Sequence, residues 1–215
     1  MYGFASGPLV WIAFIVFAAG MVYQFVRLLS LAKKDKVIYP YMSLKYGLRS
    51  LFHWVIPFGS KNMRSRYEVT ITTFVFHICL ILLPIFITAH VVMLAFSWGI
   101  EWPTLSHSAT TYMTILVILA AIFFLGRRLM MPEVRFVTFP SDYILLAIAV
   151  APFVTGFIAN HQWFDYETML VIHIIAGAVM LMAIPFTRLS HMLFFPFTRA
   201  YMGSEFGAVR HAKDW

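Results

Sequence analysis

Charge is what this sequence has least of. Only 12% of its 215 residues are charged while 61% are hydrophobic, against about 25% and about 45–50% in soluble domains. That balance excludes a water-soluble globular chain and implies an integral membrane protein. Cysteine is nearly absent: Cys79 stands alone, which excludes an internal disulfide, a C-x-x-C-H attachment site and a four-cysteine cluster. No polar block of domain size interrupts the apolar runs, so residues 1–215 are expected to form a single membrane domain. The stretch after Met1 lacks a basic n-region, so the first run is expected to be retained and not cleaved as a signal peptide.

What the chain does have is long apolar runs. Five of them, at about 7–29, 69–97, 109–127, 141–162 and 167–194, approach or exceed the roughly 20 residues that cross a bilayer. Lys and Arg avoid alternate connections. Nine fall within residues 27–68, three within 127–135 and four within 188–213, and none precedes the first run or lies in 98–108 or 160–166. The positive-inside rule then puts the N-terminus outside and the C-terminus in the cytoplasm. The net charge of +7 is thereby a matter of topology, and nucleic acid is not an expected partner. The fold class expected is an all-α integral membrane protein, with five transmembrane helices in a bundle, in a bacterial or archaeal cytoplasmic (inner) membrane.

The first connection is too long for a turn. From Tyr39 to Gly59 it reads YPYMSLKYGLRSLFHWVIPFG, with Leu44, Leu48, Leu51, Phe52 and Val55 at three- and four-residue steps and Lys45, Arg49 and Ser50 elsewhere. This predicts an amphipathic helix on the cytoplasmic membrane surface, between spans one and two. It can serve as an anchor among lipid headgroups or as a platform for a cytoplasmic subunit. His53 within it reads as an interfacial residue.

Two runs carry paired histidines. His173 and His191 are eighteen residues apart, about five turns, so on one regular helix they share a face roughly 27 Å apart. His77 and His90 are thirteen residues apart, roughly 20 Å along a helix and about 220° out of phase, with Pro84 between them to kink or retighten it. Spans two and five run antiparallel, so His77 pairs with His191 in the inner half and His90 with His173 in the outer half. Polar side chains at membrane depth are costly enough to imply function. Bis-imidazole ligation suits haem iron, filling both axial positions and leaving none for oxygen chemistry. Two haem b groups are therefore expected, with a proton or ion pathway and plain packing as the alternatives. Gly177, with Ala176, Ala178 and Ala183, leaves a low profile that suits either a flat cofactor or close helix packing. Arg188 can pair with a haem propionate or simply mark the cytoplasmic side, and Arg127 and Arg128 have the same two readings. Met93 is a further ligand candidate, although Met in such runs serves mainly as apolar packing.

The span-five end IPFTRLSH, the histidine upstream of it, GRRLMMPEVR after span three and FVFH in span two together resemble the membrane cytochrome b gamma subunit of respiratory nitrate reductase. WVIPFGSKNMRSRYE, leading into span two, looks more like the related subunits of sulfate-reducer transmembrane redox complexes with heterodisulfide-reductase-like partners. The wider spacing of the span-two histidines and the absence of Lys and Arg from the outer loops favour that second branch. The resemblance implies five helices, two b haems held by His77 with His191 and His90 with His173, and a quinol site near the outer haem. It also implies a cytoplasmic iron–sulfur subunit, heterodisulfide-reductase-like or ferredoxin-like, with a periplasmic multihaem cytochrome c and other membrane subunits as candidate partners beside membrane lipid.

The outer polar residues Glu101, His107, His161, Asp165 and Glu167 are candidates to accept a quinol proton, or are plain loop polarity. His161 is the first choice for a quinone, menaquinone being the candidate. The function expected is that of an electron-transfer subunit of an oxidoreductase complex. It would link a quinol pool or a periplasmic cytochrome c to the cytoplasmic iron–sulfur partner. A nitrate reductase gamma subunit and a non-redox anchor or proton-pathway subunit are the competing expectations.

Overall fold

The computed structural model describes residues 1–215. It is 81% helical and has no strand. Five helical segments are long and apolar enough to cross a membrane: Tyr2–Lys34 (α1), Tyr67–Trp98, His107–Met130, Pro140–Asn160 and Tyr166–Ala183. They match the five runs read from the sequence, and the chain is a multi-pass membrane protein. Helix α2 (Leu44–Val55) occupies the amphipathic connection. The second span is two helices, α3 (Tyr67–Phe86) and α4 (Thr88–Trp98). Helices α5 (His107–Met130), α6 (Pro140–Asn160), α7 (Tyr166–Ala183) and α8 (His191–Ser204) follow.

The chain divides into two compact units, residues 1–6 with 71–177 and residues 7–70 with 178–215. In the first, Phe76, Cys79 and Leu83 of α3 meet Val117, Ala120 and Ala121 of α5 and Val150 and Phe153 of α6. Ala120, Ala121 and Cys79 are small, and small side chains let helix backbones approach closely where lipid supplies no hydrophobic drive. In the second unit, Met21 of α1, Ile184 and Phe194 of α8 form the core, flanked by Phe17, Met180, Leu181 and Leu189.

Two spans depart from regular helix, and both departures concern the histidines. The run expected to continue from 167 to 194 stops at Ala183, and α8 starts afresh at His191 after a turn of 3-10 helix at Arg188–Ser190. His173 and His191 therefore lie on different helices, and the five-turn argument for a shared face does not hold. The cause is Pro185, which has no N–H to continue the ladder. Its carbonyl instead receives Gln24 Nε2 of α1 at 2.8 Å. Gly20 permits this approach, since a Cβ there would lie 2.6 Å from Pro185 Cβ. Thr187 closes the break, donating to the Ala183 carbonyl at 2.8 Å and accepting the Leu189 N–H at 3.2 Å.

The second break lies at Ile87, whose backbone is extended (φ −71°, ψ 132°). Pro84 stays inside α3, so the helix yields three residues beyond the proline. The direction of His90 is thereby uncoupled from the phase set by His77.

Candidate functional site

His90 is positioned by the repair of the break at Ile87. A helix end leaves its last four carbonyls without partners, and at the end of α3 each finds one. Leu83 O accepts the Ile87 N–H at 3.0 Å, and Phe86 O accepts the Leu105 N–H at 2.9 Å. Ile85 O accepts the Trp102 indole N–H at 2.9 Å. Pro84 O, the fourth, meets His90 Nδ1 at 2.9 Å. A carbonyl can only accept, so Nδ1 carries the ring proton and the lone pair resides on Nε2.

His173 on α7 is held in the same way. Its Nδ1 lies 2.9 Å from the Pro152 carbonyl of α6 and 3.4 Å from the Thr155 hydroxyl, which itself donates to the Ala151 carbonyl at 2.8 Å. Gly156 makes the space, because a Cβ there would stand 2.9 Å from His173 Cε1. The two rings lie close together, with centroids 6.1 Å apart and planes 22° from parallel. That separation is of the size left when one metal is held at about 2.0–2.1 Å by a nitrogen of each of two imidazoles.

His77 on α3 presents Nδ1 to its own helix, 2.8 Å from the Thr73 carbonyl, and its ring stands edge-on to Phe76 at 5.4 Å. His191 opens α8 with Nδ1 2.7 Å from the Arg188 carbonyl. It is exposed and lies beyond the end of the fifth apolar helix. His77 belongs to the first unit and His191 to the second. All four histidines thus share one arrangement, with Nδ1–H on a carbonyl and the lone pair on Nε2. Metal-ligating histidines carry this outer bond to fix tautomer and ring direction.

The remaining candidates separate clearly. A Cβ at Gly177 would meet nothing within 4 Å, so nothing in the chain requires glycine there. Arg188 is exposed and acts on His191 through its carbonyl. Arg128 is taken up locally, 3.3 Å from the Thr138 hydroxyl and 4.0 Å from the Asp142 carboxylate, and Arg127 lies over the Phe123 ring. His161, at the end of α6, has Nδ1 2.8 Å from the Phe157 carbonyl and its ring 4.2 Å from that of Phe157. Beside it an apolar groove of about 320 Å³ runs between Ile115, Leu119, Val154, Phe157 and Trp163. Glu101, His107 and Glu167 are exposed. Asp165 caps the start of α7, where the Thr168 hydroxyl and N–H hold its carboxyl below the ordinary range. Met93 is half exposed on α4. His53 stacks on Trp215 at 3.8 Å.

Sequence reasoning passed over Trp102, Thr155 and Gly156. The prolines were the available signal: Pro84 and Pro152, each inside a span, supply the two carbonyls that orient His90 and His173.

These features define an all-helical, multi-pass membrane protein with oriented histidines in its second and fifth spans. The chain belongs to the same family as a protein of Nitratidesulfovibrio vulgaris (strain Hildenborough) described only as "Protein". The two are 35% identical over 216 residues, spanning 98% of this chain and 95% of that one. No family model and no solved structure matches the chain.

Proposed function

We propose that this protein is a dihaem cytochrome b, the membrane subunit of a respiratory redox complex. The observation that carries the reading is the common state of His77, His90, His173 and His191. Each is bonded through Nδ1 to a backbone carbonyl at 2.7–2.9 Å, leaving Nε2 as a fixed donor for iron. His90 with His173 would hold the outer haem, and His77 and His191 are the candidate ligands of the inner one. When bound, a haem held by imidazoles would supply one-electron transfer. The chain's part is to fix both imidazoles in one tautomer through the carbonyls of residues 73, 84, 152 and 188, and to exclude water with apolar helices.

In this reading, supported by the positive-inside rule, the N-terminus is outside, α2 on the inner surface and the C-terminus in the cytoplasm. Electrons pass between an outer donor or acceptor, a quinol pool or a periplasmic cytochrome c, and a cytoplasmic iron–sulfur subunit. His161 is the residue that accepts a proton from quinol, its Nε2 lone pair being left by the bond to Phe157. The membrane is the cytoplasmic one of a bacterium or archaeon, and the likeness to heterodisulfide-reductase-linked complexes is preferred over nitrate reductase.

The test is the reduced-minus-oxidised spectrum with pyridine haemochrome stoichiometry, on wild type and on the four single His→Ala variants. Two b haems per chain are expected, one lost with His90 or His173 and the other with His77 or His191. A protein that folds and inserts without haem overturns the reading and leaves a membrane anchor or proton path.

A further inference from the structure

Helix α2 turns its small and polar face inward. Gly47 and Ser50 are buried against α8, where a Cβ at Gly47 would lie 3.1 Å from Ala200 Cβ and one at Gly203 2.5 Å from the Tyr46 carbonyl. The opposite stripe is bare: Leu44, Leu48, Phe52 and Val55 are 79%, 42%, 59% and 52% exposed. In water a helix buries such a stripe and exposes its polar face. Here the order is reversed.

The level of α2 follows from two contacts. Tyr201 of α8 donates to the carboxylate of Asp35, the residue just after apolar helix α1 ends at Lys34. Three residues further along α8, the Ser204 hydroxyl accepts the N–H of Ser43, the N-cap of α2, at 3.1 Å. Helix α2 therefore begins where α1 leaves its apolar stretch. Lys36, Lys45 and Lys61 are exposed around it.

We propose that α2 is a binding surface for anionic phospholipid. Its Leu44–Val55 stripe sits among the acyl chains of the adjoining leaflet, while Lys36, Lys45 and Lys61 meet headgroup phosphates. A membrane suits this face better than a protein subunit. The stripe has no polar group to set a partner's register, it begins at the level of a span end, and every charged residue from Lys36 to Lys61 is positive. The inference is independent of haem ligation.

The experiment uses the full chain, alone, in bilayer discs of phosphatidylcholine with and without phosphatidylglycerol. Nitroxide labels are placed at Leu48→Cys, Phe52→Cys and Lys45→Cys on a Cys79→Ser background, and collisions with oxygen and with a water-soluble nickel chelate are compared. Oxygen should dominate at 48 and 52, nickel at 45. Phosphatidylglycerol should associate in preference to phosphatidylcholine, and the combined variant Lys36→Gln, Lys45→Gln, Lys61→Gln should lower that preference by up to roughly fivefold per charge at low salt. Nickel-dominated labels at 48 and 52 would overturn the proposal and make the stripe a surface for a protein partner. A phosphatidylglycerol preference that is absent, or unchanged in the combined variant, would overturn the headgroup assignment.

Discussion

Trp102 donates its indole N–H to the carbonyl of Ile85 at 2.9 Å, two residues before the helix break that directs His90. With the Leu105 N–H on Phe86 O, it ties the loop between the second and third spans to the broken turn. Trp102→Phe removes the donor and keeps the ring. The loss is one hydrogen bond, about 1 kcal/mol of stability, and a looser Pro84–His90 pair. On the proposed dihaem reading, the measurable outcome is a shifted redox midpoint and altered EPR signature for the haem expected to be lost in His90→Ala, with the other haem unchanged.

Two glycines separate the needs of the protein from those of a cofactor. At Gly156 a Cβ would lie 2.9 Å from His173 Cε1 and 3.0 Å from Nδ1, so Gly156→Ala must displace the ring. Loss of one haem together with a lowered melting temperature is expected. At Gly177 a Cβ would meet no protein atom within 4 Å. Gly177→Ala should therefore leave the melting temperature of haem-free protein unchanged or slightly raised, since Ala favours helix over Gly by up to about 1 kcal/mol. If a porphyrin lies against this face, haem content falls all the same, and stoichiometry beside thermal unfolding reads the difference.

The five runs and the amphipathic step of Leu44, Leu48, Phe52 and Val55 were legible in the sequence because both are local patterns, set by hydrophobicity over a few turns. The break at Pro185 was not, and the one at Ile87 was legible only as a kink expected near Pro84. Pro84 and Pro185 are visible in the sequence, but membrane helices often tolerate proline when neighbours satisfy the freed carbonyls. Here those neighbours are remote: Gln24 for Pro185, Trp102 and Leu105 for the end of α3. The shared face expected for His173 and His191 depended on an unbroken helix, so it fell with Pro185. The hydrogen-bond partners of His90 and His173 were hidden for the same reason, being carbonyls whose availability depends on tertiary repair.

The contact between Asp35 and Tyr201 makes its own pH signature. The Tyr201 hydroxyl, then the Ile38 and Val37 N–H groups, hold the Asp35 carboxyl below its ordinary value of 3.8. Burial and the Asp35 bond push Tyr201 from 10.0 up to about 12. A carboxyl lowered on folding stabilises above its unfolded value and loses this as pH falls through the folded one. A phenol raised on folding stabilises below its unfolded value and loses this as pH rises from about 10 towards 12. The contact is thus at full strength between about pH 4 and pH 10. Tyr201→Phe should flatten both limbs of the melting temperature against pH, most plainly the alkaline one.

Asp214 and Arg199 form an ion pair with side chains only 2% and 12% exposed, and Ser50 of α2 donates to the same carboxylate at 2.5 Å. The Arg199 guanidinium also lies over the Trp54 ring, 4.4 Å from its centroid. The pair therefore joins the C-terminal segment, α8 and α2 at one point. Removing one partner strands a buried charge, and Asp214→Ala should lower stability by about 3–5 kcal/mol. Replacing both with apolar residues of similar size strands none. Arg199→Met with Asp214→Leu should recover much of that loss, since buried ion pairs exchanged for hydrophobic contacts are often neutral or better. Chemical unfolding of the single and double variants in detergent decides it. A double variant no more stable than Asp214→Ala would show that α2 is held by the geometry of the Ser50, Arg199 and Asp214 bonds, and that apolar packing cannot replace them.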